Sequence, residues 1–280
     1  MKKKKKIEVF SIVNGIVFII LALIIIIPIW KILVDSFDLK TAYGMKLWPE
    51  KFGLDGYQQV LSNPTLSRPL LISIFTTIVG TLLALTLSTL GAYVLIQWEM
   101  PGRSFFANLL LFTMIFNGGM IPTYLVLRQL HLTNTLWVVI LYPALNVYNL
   151  VLMRNFFEGI PASLYEAATL DGSTPMQTFV RIVLPMSKPA LASIGLMYAV
   201  SYWNDYTHYK LYINNSDLYN FQMKLRGMIM GSDLPTASGN ATENTIKNAA
   251  IIIVIIPFMI LYPFLQKYFV QGVNIGAVKE

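Results

Sequence analysis

The sequence predicts an all-α polytopic membrane protein with six transmembrane helices. Of its 280 residues, 55% are hydrophobic and only 12% are charged, which is about half the charged fraction of a typical soluble domain. Six largely uncharged windows follow one another along the chain, and a helix of about 20 residues crosses a bilayer. Because so little charge cannot cover a water-facing surface of this size, we expect neither a soluble enzyme nor a disordered chain.

The six windows give the order of the predicted spans. They cover residues 9–33, 70–95, 104–127, 136–153, 189–205 and 248–269. We expect the polar connections 34–69 and 206–247 on the extracytoplasmic side and the polar segment 154–188 on the cytoplasmic side. No repeat and no linker divides the chain, so residues 1–280 are predicted to form a single transmembrane domain.

The predicted orientation depends on the N-terminus. Five of the 21 basic residues form the run Lys2–Lys6, and such a run beside an apolar span is typical of a cytoplasmic flank. The uncharged stretch 9–30 is too long for the core of a signal peptide, so we expect a retained first span and both termini in the cytoplasm. The same clustering argues against nucleic acid as a partner, despite the net charge of +7. An inverted topology remains the alternative, because the other Lys and Arg residues are almost evenly divided between the two sides.

Small residues and prolines mark irregular places in the spans. The third predicted span contains Asn117-Gly118-Gly119-Met120-Ile121-Pro122, which predicts a local unwinding that lipid would not tolerate but a protein-lined cavity would. In the second span, Gly80 and Gly91 are expected to permit either a close backbone approach or a break. The alternative is that glycine is simply more frequent in membrane helices.

The cytoplasmic polar segment predicts a helix–turn–helix. Its first helix begins either at Pro161, as the first helical residue, or at a Ser163–Glu166 capping box, and the sequence does not decide between them. Asp171-Gly172 ends this helix. A second short helix covers Pro175–Ile182, and Leu184-Pro185 forms an apolar hinge before the fifth span. Small residues on the first helix favour docking into the groove of a partner, and an amphipathic helix lying on the membrane is the alternative.

The spacing in this segment resembles a known family. Glu166-Ala167-Ala168, three residues, Gly172, nine residues, Ile182, one residue and Leu184-Pro185 match the EAA loop of ABC-importer permeases without a gap. Other stretches are similar to the carbohydrate-importer branch, of the MalG type and more closely of the LplC and YtcP type. These stretches are residues 117–124, 153–157, 203–204, 241–247 and 262–279. The resemblance implies the type I ABC-importer permease fold with a cytoplasmic coupling loop.

The resemblance also implies a function. The chain is expected to be the permease subunit of an ATP-driven, binding-protein-dependent importer for an oligosaccharide in the cell membrane. Its implied partners are a second homologous permease that shares the substrate path, two cytoplasmic ATPase subunits and an extracytoplasmic sugar-binding protein. The residues implied to dock the ATPase are Glu166, Ala167, Ala168, Asp171, Gly172, Ile182, Leu184, Pro185 and Lys279. The sequence contains no Gly-x-x-x-x-Gly-Lys-Ser/Thr loop, so we expect no catalysis and no cofactor on this chain, with ATP and magnesium held by the ATPase.

Polar side chains within the spans are candidates for the substrate pathway, because sugars bind through aromatic faces and through amide and carboxylate hydrogen bonds. These candidates are Asn117, Asn146, Asn149, Tyr198, Tyr202, Trp203, Asn204 and Asp205. Hydrogen bonds between neighbouring helices are the alternative role for the asparagines and tyrosines. The alternative function, an ion-coupled secondary sugar transporter, requires acidic residues within the spans, and Asp205 at a span edge is the one candidate. His131 and His208 have no neighbours in sequence that suggest a metal site.

Overall fold

The structure, a computed structural model, describes residues 9–40, 44, 46–97, 100–233 and 240–277. Within these ranges the regular structure is helical, and the one extended pairing is an isolated bridge between Asp38 and Phe52. The predicted all-α class is therefore confirmed. Two sequence predictions lie outside the described residues: the cytoplasmic flank at Lys2–Lys6 and the ATPase contact at Lys279.

The described ranges contain α-helices in the following order. They are α1 (Val9–Phe37), α2 (Asp55–Ser62), α3 (Pro64–Ile96), α4 (Arg103–Ile115), α5 (Met120–Gln129), α6 (Leu136–Leu141), α7 (Val147–Glu158), α8 (Ala162–Leu170), α9 (Pro175–Thr178), α10 (Leu184–Met186), α11 (Lys188–Trp203), α12 (Thr207–Tyr212), α13 (Phe221–Ile229) and α14 (Glu243–Ala277). A π-helical turn, Phe179–Val183, joins α9 to α10, and 3₁₀ turns lie at Tyr142–Ala144 and Ser216–Leu218.

Three segments are long and apolar enough to cross a membrane by themselves: Phe10–Phe37, Pro64–Ile96 and Glu243–Leu261. Three pairs of shorter helices meet the same test only when they are taken together. These pairs are α4 with α5, Leu136–Ala144 with α7, and Pro175–Met186 with α11, and their helices are bent by 119°, 44° and 80°. The described residues therefore hold three to six candidate spans. That each bent pair crosses the bilayer as one span stays a prediction.

The largest bend lies where the sequence predicts an unwinding. α4 ends at Ile115, and Gly119 precedes α5 with a φ of +93°, a conformation that L side chains rarely adopt. The Gly119 N–H donates to Asn117 Oδ1 at 2.9 Å, which fixes the turn between the helices. The unwinding is confirmed, and it divides the predicted span 104–127 into α4 and α5, which are bent by 119°.

The chain forms two compact units. The terminal unit comprises the described parts of residues 1–67 and 225–257, and the central unit comprises those of 68–224 and 258–280. In the central unit, side chains of α3, α7 and α11 pack with the π-helical turn around one hydrophobic core. A Cβ atom at Gly80 of α3 would lie 2.5 Å from the ring of Tyr202 on α11. The close helix approach predicted at Gly80 is therefore confirmed.

The connection 206–247, predicted as a polar loop, contains the helices α12 and α13. Tyr209 and Tyr212 of α12 are buried in a second core cluster of the central unit, beside residues of α3 and α6. The Tyr209 hydroxyl donates to Thr76 Oγ1 at 3.1 Å. Tyr209 and Tyr212 are thus core residues. The sequence did not indicate their burial, because they lie among polar residues.

In the terminal unit, Asp38 organises the connection between α1 and α2. Its carboxylate accepts hydrogen bonds from the backbone N–H groups of Lys40, Glu50 and Lys51 at 3.0, 3.1 and 3.2 Å. Its carbonyl accepts from Thr245 Oγ1 at 2.6 Å, which ties the connection to the first turn of α14. Burial alone would raise the pKa of Asp38, but the N–H donors outweigh burial and hold the pKa below its ordinary value.

Candidate functional site

The helix–turn–helix predicted before the fifth span is present, and we call residues 161–187 the elbow segment. Its first helix, α8, begins at Ala162 with Pro161 just outside it. Both predicted starts are wrong: Pro161 flanks the helix instead of opening it, and no side chain caps the helix at Ser163–Glu166 or elsewhere in its first turn.

The predicted helix stop at Asp171-Gly172 is confirmed. Gly172 has a φ of +73°, the left-handed conformation in which helices commonly end. Its N–H donates to the carbonyl of Thr169 at 3.0 Å, and the N–H of Ser173 donates to the carbonyl of Ala168 at 2.9 Å. These two bonds satisfy the carbonyls of Ala168 and Thr169 at the end of α8.

A capping box, which the sequence analysis missed, opens the second helix. The Gln177 N–H donates to Thr174 Oγ1 at 3.3 Å, and the Thr174 N–H donates to Gln177 Oε1 at 2.9 Å. The Thr-x-x-Gln spacing is the signal that could have located it.

The rest of the second helix differs from the predicted Pro175–Ile182. After α9 the chain continues through the π-helical turn Phe179–Val183, and the 80° bend before α11 lies near Ser187. The bend thus follows the predicted Leu184-Pro185 hinge by two residues. Because Pro185 has no N–H to donate, the wider turn before it accommodates the missing hydrogen bond.

Aromatic side chains hold the elbow segment against the core of the central unit. The Tyr93 hydroxyl of α3 donates to the carbonyl of Pro175 at 2.8 Å, and its ring lies 4.7 Å from that of Phe179. The Tyr165 hydroxyl donates to the carbonyl of Phe157 on α7 at 3.3 Å. Burial raises the pKa of Tyr165 to about 12, so this hydroxyl stays a hydrogen-bond donor at neutral pH.

The elbow segment also exposes apolar side chains. Leu170, Met176 and Val180 are 88%, 60% and 51% exposed. Among the predicted docking residues, Glu166, Ala167, Asp171, Gly172 and Pro185 are exposed, Ala168 is buried, and Ile182 and Leu184 are half-buried. The segment therefore exposes three apolar side chains and the carboxylates of Glu166 and Asp171, while Tyr165 and Phe179 pack on the core.

Two of the predicted pathway residues on α11 are buried in contacts between helices. The Tyr198 hydroxyl lies 2.6 Å from Ser88 Oγ of α3, and the Tyr202 hydroxyl donates to the carbonyl of Ile140 on α6 at 2.7 Å. Trp203 is also buried, with its ring 6.0 Å from that of Phe258. The two tyrosine contacts match the alternative interpretation, hydrogen bonds between helices. A pathway role for Tyr198, Tyr202 and Trp203 stays a prediction.

The predicted asparagines lie at helix ends. Asn117 lies in the break before α5, and Asn146 Oδ1 caps α7 by accepting from the Asn149 N–H at 3.1 Å. Asn204 ends α11, where its side chain donates to the carbonyl of Val200 at 3.0 Å. Asn117, Asn146 and Asn204 are exposed and Asn149 is buried. The exposed asparagines remain available to a ligand.

Asp205 belongs to a cluster that the sequence analysis did not assemble, the Tyr142 cluster (Tyr142, Asp205, His208 and Tyr212). His208 Nδ1 lies 3.0 Å from both carboxylate oxygens of Asp205. The Tyr142 ring meets the His208 ring edge-on at 5.2 Å, and the Tyr212 ring stacks on His208 at 6.1 Å. Tyr142 is 43% exposed. The spacing Asp205-x-x-His208 was the available signal, but it could not place Tyr142 beside them.

A family model supplies the decisive comparison. The model described as "binding-protein-dependent transport system inner membrane component" matches residues 102–275, a stretch that includes the α4–α5 break and the whole elbow segment. The chain belongs to this family. The importer permease is 40% identical to the protein LplC of Bacillus subtilis, and the match covers 100% of this chain and 98% of LplC.

Two further comparisons agree. The importer permease is 40% identical to YtcP of Bacillus subtilis, a polygalacturonan/rhamnogalacturonan transport system permease, over 92% of this chain and 94% of YtcP. It also resembles a chain of a crystal structure of a bacterial ABC transporter that imports the acidic polysaccharide alginate, with a TM-score of 0.87 and 32% identity over 96% and 99% of the two chains. The resemblance to ABC-importer permeases drawn from the EAA spacing is therefore confirmed.

Proposed function

We propose that this permease is the membrane subunit of an ATP-driven importer for an oligosaccharide and that a separate ATPase docks on its elbow segment. The observation that carries the proposal is the exposure of Leu170, Met176 and Val180, which we call the apolar strip, on a segment that Tyr165 and Phe179 hold to the core. Exposed leucine and methionine outside the predicted spans favour a protein partner.

The elbow segment is built to transmit a displacement. A partner that moves α8 and α9 also moves α3, because Tyr93 holds the carbonyl of Pro175 and packs on Phe179. It moves α7 through Tyr165 and Phe157. Closure of two ATPases around ATP and magnesium would then rock the helices of two permeases between two states of access. The Lys2–Lys6 run supports a cytoplasmic elbow segment, with both termini on that side.

The partners in the proposal are a second homologous permease, two ATPase subunits and an extracytoplasmic sugar-binding protein. The family description names binding-protein-dependent transport, which supports the binding protein directly. Because the chain has no phosphate-binding loop of its own, hydrolysis must come from another subunit.

The proposed substrate is an oligosaccharide, with acidic sugars favoured. YtcP is named for polygalacturonan and rhamnogalacturonan, and the similar crystal structure concerns alginate. On this chain the Tyr142 cluster offers an exposed aromatic ring beside a carboxylate–imidazole pair, which suits the apolar face and the hydroxyl groups of a sugar. The exposed Asn117, Asn146 and Asn204 complete the proposed polar contacts.

Copurification tests the docking proposal. The chain is expressed with its ATPase, and Leu170→Glu, at an 88% exposed position, is expected to abolish recovery of the ATPase because it places a charge in the apolar strip. The matched control is Leu61→Glu on α2, a leucine that is 58% exposed outside the elbow segment. Unchanged ATPase recovery with Leu170→Glu would show that docking occurs elsewhere.

Gly172→Asp is a weaker test of the same proposal. At a φ of +73° any side chain strains the turn, so loss of the ATPase would follow from misfolding as well as from lost contact.

The secondary-transporter alternative predicts a different energy source for uptake. Vesicles that hold the permeases without an ATPase would then accumulate sugar when an ion gradient is applied.

A further inference from the structure

The terminal unit contains a polar cavity of about 240 Å³ that the transport proposal does not use. It lies between the last turns of α1 and the first turns of α14. Its lining includes Lys31, Asp35, Lys40, Thr245, Lys247 and Asn248. We call it the lysine pocket.

The lysine pocket carries more positive than negative charge. Lys31 Nζ bonds Asp35 Oδ2 at 2.6 Å, and Lys40 Nζ lies 3.6 Å from Glu50 Oε2. Lys247 makes no ion pair with any described residue. Lys31 and Lys40 are thus each paired with a carboxylate, and Lys247 leaves one positive charge in excess, which favours an anionic ligand.

Asp35 adds a second requirement. Its Oδ2 atom is paired with Lys31 at 2.6 Å, and its Oδ1 atom is buried away from the cavity. The ligand must therefore bind beside a carboxylate, which repels a small free dianion more than a lipid phosphate that also gains acyl-chain contacts.

The position of the pocket along the helices identifies a source of such a group. Lys31 follows directly after the uncharged stretch 9–30 of α1, and Lys247 and Asn248 precede the apolar part of α14. Ile26, Ile27 and Trp30 of α1 are 56%, 41% and 41% exposed. Lysine and tryptophan at the end of an apolar span lie at the depth of lipid headgroups, and the exposed isoleucines can contact acyl chains.

We propose that the lysine pocket binds the phosphate of an anionic lipid such as phosphatidylglycerol. The phosphate lies among Lys31, Lys40 and Lys247. The bound lipid fastens α1 to the start of α14 on the side where the predicted orientation places the outer leaflet.

Native mass spectrometry of the intact, detergent-solubilised transporter tests this inference. Phosphatidylglycerol is titrated into the wild type and into Lys247→Gln, and the variant is expected to bind the lipid about fivefold more weakly, because one basic residue near a membrane contributes on the order of 1 kcal/mol. Lys40→Gln, at a solvent-exposed lysine, is expected to act in the same direction without a risk to folding. The matched control is Lys51→Gln, an exposed lysine outside the pocket, which is expected to bind as the wild type does.

Two competitor titrations distinguish the source of the anion. Phosphatidylcholine and inorganic phosphate are both expected to leave the bound phosphatidylglycerol in place. The inference is overturned if Lys247→Gln and Lys40→Gln bind phosphatidylglycerol as tightly as Lys51→Gln does. It is also overturned if inorganic phosphate displaces the lipid at equal concentration, because the pocket would then serve a soluble anion.

Discussion

Replacing Gly80 by alanine tests the packing of α3 against α11. The added Cβ would lie 2.5 Å from the Tyr202 ring, closer than any real contact, and Tyr202 is 4% exposed and held through its hydroxyl to the carbonyl of Ile140 at 2.7 Å. Overpacking of a core costs about 2 kcal/mol, and loss of the displaced hydrogen bond costs about 1 kcal/mol. Alanine recovers about 1 kcal/mol of helix propensity. The variant should therefore lose about 2 kcal/mol of stability.

Gly195→Ala on α11 is the matched control, because its Cβ would lie 3.5 Å from Leu85, an ordinary contact. It should gain about 1 kcal/mol from helix propensity alone. Denaturant unfolding of the two variants in detergent, followed by tyrosine and tryptophan fluorescence, measures the difference. If Gly80→Ala is as stable as Gly195→Ala, the close approach of α3 to α11 is not the reason for glycine at position 80.

Three further predictions concern the elbow segment, the terminal unit and the Tyr142 cluster. Thr174→Ala removes the capping box and should cost about 1 kcal/mol, seen as faster hydrogen exchange over residues 175–183, whereas Ser163→Ala should leave that exchange unchanged. The pKa of Asp38 is lowered from 3.8, so its carboxylate stabilises the fold above that pH, and this contribution disappears as pH falls through the folded-state pKa. The difference in unfolding free energy between wild type and Asp38→Asn should therefore shrink in acid. A difference that is constant from pH 7 to pH 3 would refute this. Tyr142→Ala should reduce oligosaccharide uptake with normal assembly, while Tyr148→Ala, at an exposed tyrosine of α7, should not; equal uptake by both variants would remove Tyr142 from the proposed sugar contacts.

Local chemistry explains which features the sequence predicts well. The helix stop at Asp171-Gly172 and the break near Gly119 each depend on a glycine with a positive φ, so the local residue types are enough to predict them. The EAA spacing likewise depends on residues of a single segment. In each case the determining residues are adjacent in the chain.

Features that depend on distant residues were not predictable in the same way. The burial of Tyr202 depends on Gly80, more than a hundred residues earlier in the chain. The Tyr142 cluster likewise joins α12 to the 3₁₀ turn after α6. Because Tyr202 is buried and bonded to the carbonyl of Ile140, Tyr202→Ala is expected to lower the stability of the fold.

Site-directed thiol labelling tests the central claim most directly. The chain contains no cysteine, so Leu170→Cys introduces its only thiol within the proposed docking strip. Asn214→Cys likewise places a single thiol in the predicted outer connection. In right-side-out vesicles, a membrane-impermeant maleimide should label Asn214→Cys at once. It should label Leu170→Cys only after the vesicles are opened, and then slowly while the ATPase is bound. Labelling of Leu170→Cys from outside, or labelling that the ATPase does not slow, would contradict the proposed coupling through the elbow segment.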